Sequence, residues 1–231
     1  ERRVNIYVNG DPYISLMCLP QHLEELAVGF LFAEGVIGSY GDVVDIHTEA
    51  GRGDIFVVLR NAPKGTKTSG RVLLSGFGHG SVAESFFCYE DLPMQTSLLK
   101  ISPHEIVKMM SLFNERSELF RKTGAVHSAS LVLPDAQTLF YEDIGRHNAL
   151  DRITGKALMS GLRLENSLLL TSGRISSEML LKTAKAGVPI LISVSAPTNM
   201  AIEIAQRINM TLIGFARGAG FNVYAGEQRV R

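Results

Sequence analysis

Cysteine is scarce in this sequence: only Cys18 and Cys88 occur in 231 residues. With no Cys-x-x-Cys pair, they can form neither a metal quartet nor a disulfide framework, and a reducing compartment is the natural setting. An excess of either charge is lacking too, because 23 Lys and Arg face 23 Asp and Glu. That balance argues against nucleic acid as the main partner, so an anionic ligand has to be gripped locally. No apolar run approaches the roughly 18 residues that span a bilayer, and the N-terminus shows no signal-peptide pattern. The sequence starts at Glu1 rather than at a methionine, so a trimmed leader would leave no trace. The expectation is a cytoplasmic protein with no membrane contact. What the sequence does have is 45% hydrophobic residues, with 22 Gly and 8 Pro. That is enough for one sizeable core or for two unequal domains.

The first stretch, "RVNIYVNGDPYISLMC", predicts a hairpin turning at Asn9-Gly10. "QHLEELAVGFLFAEG" places Leu23, Leu26, Ala27, Phe30 and Leu31 at helical spacing, with Gly35 as the C-cap. Two strand-like runs, "DVVDIHTE" and "DIFVVLR", flank the turn "AGRG". "NAPKGTKTSG" then reads as a boundary between a small α+β domain, residues 1–65, and a larger α/β domain, residues 66–231.

Past that boundary, "SPHEIVKMMSLFNERSELFRKTG" predicts one helix. Ser102 and Glu105 are spaced as a capping box, Pro103 takes the first position and Gly124 lies beyond the end. "HSASLVLPDAQTLFYE" reads as a second hairpin. Helices and strands then alternate, from the helix "NALDRITGKALMSG" to the strand "MTLIGFARG", which argues for a largely parallel sheet. In such sheets ligands sit beyond the carboxyl ends of strands. "LTSGR", "SVSAPT" and "GFARGAG" occupy those ends and can converge on one cleft.

Several segments carry candidate chemistry. "YEDIGRHNALD", residues 141–151, packs Glu142, Asp143, Arg146, His147, Asn148 and Asp151 between a strand and a helix. It reads either as a charged loop with an Asx-type cap or as an anion site using Arg146 and His147. "TSGRISSE", residues 171–178, opens a helix where backbone N–H groups favour an anion; Ser172, Arg174 and Ser176 add donors, and simple capping by Ser176 or Ser177 is the plainer alternative. Arg217, between glycines after an apolar strand, reads as a solvated turn or as a phosphate ligand. His127 sits in "AVHSASL", where a zinc deaminase would carry Glu two residues later; Ala129 stands there and no Cys pair follows, so a packing or hydrogen-bonding role is expected. The loop "LLSGFGHGS", residues 73–81, is rich in glycine, with Phe77 and His79 as its conspicuous side chains. Cys18 precedes a helix that can lower a thiol pKa, or is a small buried apolar residue; Cys88 reads as structural.

"LMCLPQHLEELAVGFLFAEGVI", "FRKTGAVHSASL", "YEDIGRHNALDRITGKAL", "TSGRISSEML", "SVSAPTNMAIEIAQ" and "TLIGFARGAGFNVY" together resemble the FdhD family, the accessory sulfurtransferases of formate dehydrogenase maturation. The resemblance implies an α/β fold whose larger domain is a three-layer structure similar to cytidine deaminase, without its zinc site. It implies a homodimer that takes sulfur from a cysteine desulfurase and passes it to the bis(molybdopterin guanine dinucleotide) molybdenum cofactor, which then enters formate dehydrogenase. By the same resemblance the segment Phe215, Ala216, Arg217, Gly218, Ala219 and Gly220 contributes to binding that cofactor. The guanine nucleotide ends suit a cleft lined by His147, Asn148 and Arg174. The family's loop cysteines, however, fall on Phe77 and Gly80, and neither residue can hold a persulfide. Whether the chain is an active sulfurtransferase is therefore open. The alternatives are sulfur transfer through another thiol, a cofactor carrier that supplies no sulfur, and a nucleotide hydrolase using the "EDIGRH" carboxylates.

Overall fold

Asn9 and Gly10 both take positive φ, 51° and 87°. That is the backbone a two-residue hairpin turn demands, and it joins β1 (Arg2–Val8) to β2 (Asp11–Cys18). The computed structural model describes residues 1–49, 51, 53–61, 72–73, 92 and 94–231. Phe77, His79, Gly80 and Cys88 lie outside the described residues. The described residues form two compact units, one drawn from Glu1–His79 with Asp143–Leu162, the other from Gly80–Glu142 with Arg163–Arg231.

In the first unit the sheet runs β3-β4-β1-β2-β5, with β3 at Val43–Thr48, β4 at Ile55–Leu59 and β5 at Val72–Leu73. Alternation along β1 buries Val4, Ile6 and Val8, the period of two that puts one face against a core. Helix α1 (Leu23–Ala33) is buried from Leu26 onward. It ends as its sequence predicts: Gly35 takes φ 77°, its N–H reaches Phe32 O at 3.0 Å, and Val36 N reaches Leu31 O at 2.9 Å. Those two bonds define a Schellman cap.

The helix spanning Arg146–Met159 (α4 in chain order) belongs to this first unit. This differs from the sequence-based division, which placed it within 66–231. The reason is a glycine crossing. A Cβ on Gly29 of α1 would stand 1.8 Å from the Asp151 carbonyl oxygen, and one on Gly155 of α4 would stand 1.8 Å from that of Glu25. Only two glycines facing each other let these backbones come so close.

The second unit carries a six-stranded sheet in the order β11-β10-β9-β8-β6-β7. Its strands are β6 (His127–Val132), β7 (Thr138–Asp143), β8 (Leu168–Thr171), β9 (Ile190–Ser193), β10 (Thr211–Arg217) and β11 (Gly220–Ala225). The central β8, β9 and β10 are parallel, while β6 and β11 add antiparallel partners. The fold is α/β, as expected. Leu168, Leu170, Ile190, Ile192 and Ile213 pack beneath α2 (Pro103–Arg116). Their neighbours Leu169, Leu191 and Leu212 are fully buried as well, so both faces of the sheet are covered. The crossover helices α5 (Ser177–Lys185) and α6 (Asn199–Arg207) connect the parallel strands.

Ser102 caps α2 as its spacing predicts, accepting the Glu105 N–H at 3.2 Å while Glu105 accepts Ser102 N–H at 2.8 Å. The single helix expected to follow is two. Ser117 leaves helical geometry with ψ 67° and donates its hydroxyl to Phe113 O at 3.1 Å. Glu142 then accepts the N–H groups of Leu119 and Phe120 at 3.0 and 2.9 Å, starting α3 (Glu118–Thr123) afresh. A carboxylate at a helix start satisfies donors the chain itself cannot.

Candidate functional site

The parallel strands of the second unit end together, and their loops are tied to one another. After β8, the Gly173 carbonyl accepts the Ser193 hydroxyl at 2.7 Å, and Val194 N donates to Thr171 O at 3.2 Å. Ile175 N donates to Ala196 O at 3.1 Å, and Thr198 N returns a bond to Ile175 O at 2.9 Å. Phe215 N closes the set on Ser195 O at 3.1 Å. The three loops expected to converge do so. Gly214 is needed at their meeting point, because a Cβ there would lie 2.9 Å from Pro197 Cδ and 3.0 Å from Ser195 O.

Both crossover helices start at this edge. Ser176 caps α5 through Met179 N at 3.4 Å and Thr198 caps α6 through Ala201 N at 3.3 Å. Ser176 therefore does the plainer job weighed for it, and the edge still gains two positive helix ends. Arg174 and Arg217 are exposed here. The Arg217 guanidinium carbon lies 5.6 Å from the centre of the Phe215 ring. Phe215 has φ 52°, costly for a bulky residue, within a bulge where the β10–β11 register shifts between Gly214 and Arg217. Strained aromatics and bulges of this kind gather at functional sites. Arg174 and the stretch Phe215, Ala216, Arg217, Gly218, Ala219 and Gly220 thus share one sheet end of the second unit.

His147 and Asn148 belong to the first unit, in the opening turn of α4. The Asn148 amide is committed to structure: it donates to Met17 O at 2.9 Å and to Asp143 Oδ1 at 2.8 Å. Asp143, fully buried, also accepts Leu19 N and Gly145 N, each at 2.9 Å, and pairs with the Arg152 guanidinium. Arg152 in turn donates to Gln21 O at 3.1 Å and to Leu19 O at 2.7 Å. Asp143 and Asn148 of "EDIGRHNALD", with Arg152 just beyond it, therefore clamp the segment Met17–Gln21. Glu142 caps α3 and Asp143 faces a cation, so neither carboxylate of "EDIGRH" is placed to activate water, and the hydrolase alternative loses its base.

Cys18 lies within that clamp. Burial pushes its thiol up to about 12, the Asp143 carboxylate adds to the rise and the Arg152 guanidinium opposes it. The helix-activated thiol weighed for this position is not what the fold provides, since a sulfur nucleophile must be a thiolate.

Sequence reasoning missed the Gly29–Gly155 crossing and one partner of His127. That partner is Ser172, whose hydroxyl oxygen lies 3.3 Å from His127 Nδ1. A signal for the crossing did exist, because each glycine sits inside a helical pattern it would otherwise weaken. Nothing local pointed to the pairing of His127 with Ser172, 45 positions apart. No helix among the described residues is long and apolar enough to cross a membrane.

Comparison with known proteins agrees with the motif pattern across the whole chain. The FdhD/NarQ family matches residues 1–231. Relatives named sulfur carrier protein FdhD are 39% identical in Listeria innocua, covering all of this chain and 90% of that protein, and 39% identical in Bacillus subtilis, covering 99% and 88%. A crystal structure from Desulfotalea psychrophila, described as a formate dehydrogenase accessory protein, superimposes with a TM-score of 0.80 at 28% identity, over 100% of this chain and 89% of that one. The chain belongs to the FdhD/NarQ family.

Proposed function

We propose that this chain is a formate dehydrogenase maturation protein of FdhD type that binds the bis(molybdopterin guanine dinucleotide) molybdenum cofactor as a client, by its guanine nucleotide ends. The observation that carries this reading is the joined edge of β8, β9 and β10, with exposed Arg174 and Arg217 on loops hydrogen-bonded to one another. Guanidinium forks match phosphate geometry, and the two helix starts add backbone N–H donors. The exposed Phe215 ring offers a face on which a base can stack. A cysteine desulfurase, formate dehydrogenase and a second copy of the chain are its partners on this reading, in the cytoplasm.

The sulfur step departs from the family pattern. Phe77 stands where the family places its cysteine, and Cys18 is buried with its thiol held protonated. We therefore read the protein as a carrier that holds the client without a thiol in that loop. A second reading, sulfur transfer through Cys88, is favoured by the relatives' name, sulfur carrier protein.

Titration calorimetry with guanosine diphosphate tests the binding, and no uptake of the nucleotide would refute it. Mass spectrometry after incubation with a cysteine desulfurase and cysteine separates the two readings. A gain of one sulfur on Cys88 supports transfer. No gain in the native chain, with persulfide appearing on Phe77→Cys, supports the carrier.

A further inference from the structure

α2 does not cover all of the sheet it lies on. It packs over Leu168, Leu170, Ile190, Ile192 and Ile213, which belong to β8, β9 and β10. β6 and β7 extend past β8 to the edge of the sheet. Between them and the flank of α2 a cavity of about 580 Å³ opens to solvent. Leu112, Phe113, Val132, Phe140 and Leu170 line it with apolar surface. Phe113 and Phe140 meet edge to face, their ring centres 5.9 Å apart. Leu112, on the rim, is 54% exposed. A space of this size and lining suits a small organic molecule.

Among the described residues three charged side chains border the cavity, Glu105, Lys108 and Arg116, all on α2. Glu105 is occupied: its carboxylate accepts both the N–H and the hydroxyl of Ser102, at 2.8 and 2.7 Å. Lys108 forms no ion pair with a described residue. Arg116 is held in place. Its guanidinium carbon lies 5.1 Å from the centre of the Phe140 ring, and Nη1 donates to Thr138 Oγ1 at 2.6 Å. A guanidinium carries five N–H donors, and those not given to Thr138 have no acceptor among the described residues. A cation already set against the aromatic floor thus has donors left over beside the cavity.

We propose that this groove is a further binding site, for a small apolar monocarboxylate: an aryl or branched acyl body rests on Phe113 and Phe140, and its carboxylate accepts from Arg116. A planar carboxylate matches the guanidinium fork. One negative charge suits the place better than a phosphate dianion, because Arg116 is the last residue of α2 and the negative end of the helix dipole lies there. Since Arg116 is oriented before the ligand arrives, less is lost on binding. The site is independent of the nucleotide reading. Val132 pairs with Leu168 at the start of β8, whereas Arg174 follows the end of that strand at Thr171. The groove and the nucleotide edge therefore lie toward opposite ends of the sheet.

The probes are 4-phenylbutyrate, 4-phenylbutanol and 4-phenylbutylamine, which share one apolar body and differ in charge. In an NMR titration the wild-type protein should bind the acid about tenfold more tightly than the alcohol, the scale of one hydrogen bond to a charged group. The methyl resonances of Val132 and Leu170 should move with added acid. Arg116→Gln should bind acid and alcohol alike, and Arg116→Glu should reverse the order, taking the amine in preference to the acid. Saturating guanosine diphosphate should leave the acid's affinity unchanged. Equal binding of acid and alcohol by the wild type, or an order that survives Arg116→Glu, overturns the proposal. So does displacement of the acid by guanosine diphosphate, which would seat it at the nucleotide edge. A dimer that comes apart on Arg116→Glu, with no uptake of acid by either form, makes the groove an interface between copies and overturns it as well. If Arg116→Glu fails to fold, the wild-type comparison decides: stationary Val132 and Leu170 methyls at saturating acid refute the site.

Discussion

An alanine at Gly29 or Gly155 tests whether the helix crossing holds the first unit together. The added Cβ would stand 1.8 Å from a carbonyl oxygen of the facing helix, whereas real Cβ contacts essentially never close below 3.0 Å. The helices must therefore part by at least 1.2 Å (3.0 − 1.8). The obstacle is backbone in both cases, so no side chain can swing aside to absorb it. Overpacking a core costs about 1–3 kcal/mol where side chains give way, and a backbone clash belongs at or above the top of that range. Alanine's better helix propensity returns about 1 kcal/mol. The net loss should be about 2–3 kcal/mol for either substitution, or about 5–10 °C in melting temperature for a chain of this size. Circular dichroism melts and urea titration read it directly. The double variant should lose less than the sum of the singles, because one displacement of the helices relieves both clashes. A melting temperature unchanged or raised in either single variant would refute the close crossing.

Arg217→Ala should weaken guanosine diphosphate binding by about 1.5–3 kcal/mol in calorimetry, and less in high salt because the guanidinium is exposed; unchanged affinity would move the nucleotide elsewhere. Asp143→Asn leaves the buried Arg152 cation unpaired and should cost about 3–5 kcal/mol in urea unfolding, and a loss under about 1 kcal/mol would sink the clamp as a stabilising device. With its thiol at about 12, Cys18 is about one part in 10,000 thiolate at pH 8, so iodoacetamide should label it only when the protein unfolds, and rapid native labelling would contradict the burial. Since its pKa is raised by folding from 9.0, the stability it confers is whole below pH 9 and drains as pH climbs toward about 12.

Features set by neighbouring residues were legible in the sequence. The Asn9-Gly10 turn, the Gly35 cap and the Ser102–Glu105 box each involve residues within a few positions, and each forms as its spacing predicts. The meeting of loops beyond β8, β9 and β10 was legible too, because parallel strands joined by helices must end on one side. What failed to show was long-range. "EDIGRHNALD" looks chemical because it is dense in charge, yet Met17 and Leu19, which its Asn148 and Asp143 bind, lie more than 120 positions away. The break at Ser117 depends on Glu142, more than 20 positions later. The strain at Phe215 comes from a bulge, which no periodicity announces.

The chain enters the first unit twice, through residues up to His79 and again through Asp143–Leu162. A growing polypeptide therefore cannot complete that unit until Leu162 has been made. At about 5–20 residues per second the 63 residues between the two pieces (142 − 79) take about 3–13 s to appear. Through that interval α1, buried from Leu26 to Ala33 in the finished fold, has no α4 to lie against. A fragment cut at residue 65 would be left permanently in that waiting condition, its apolar helix turned toward water or toward other chains. The last turns of α4 are thus the signal that the amino-terminal third can settle, and gene fragments meant to express that third need to carry them.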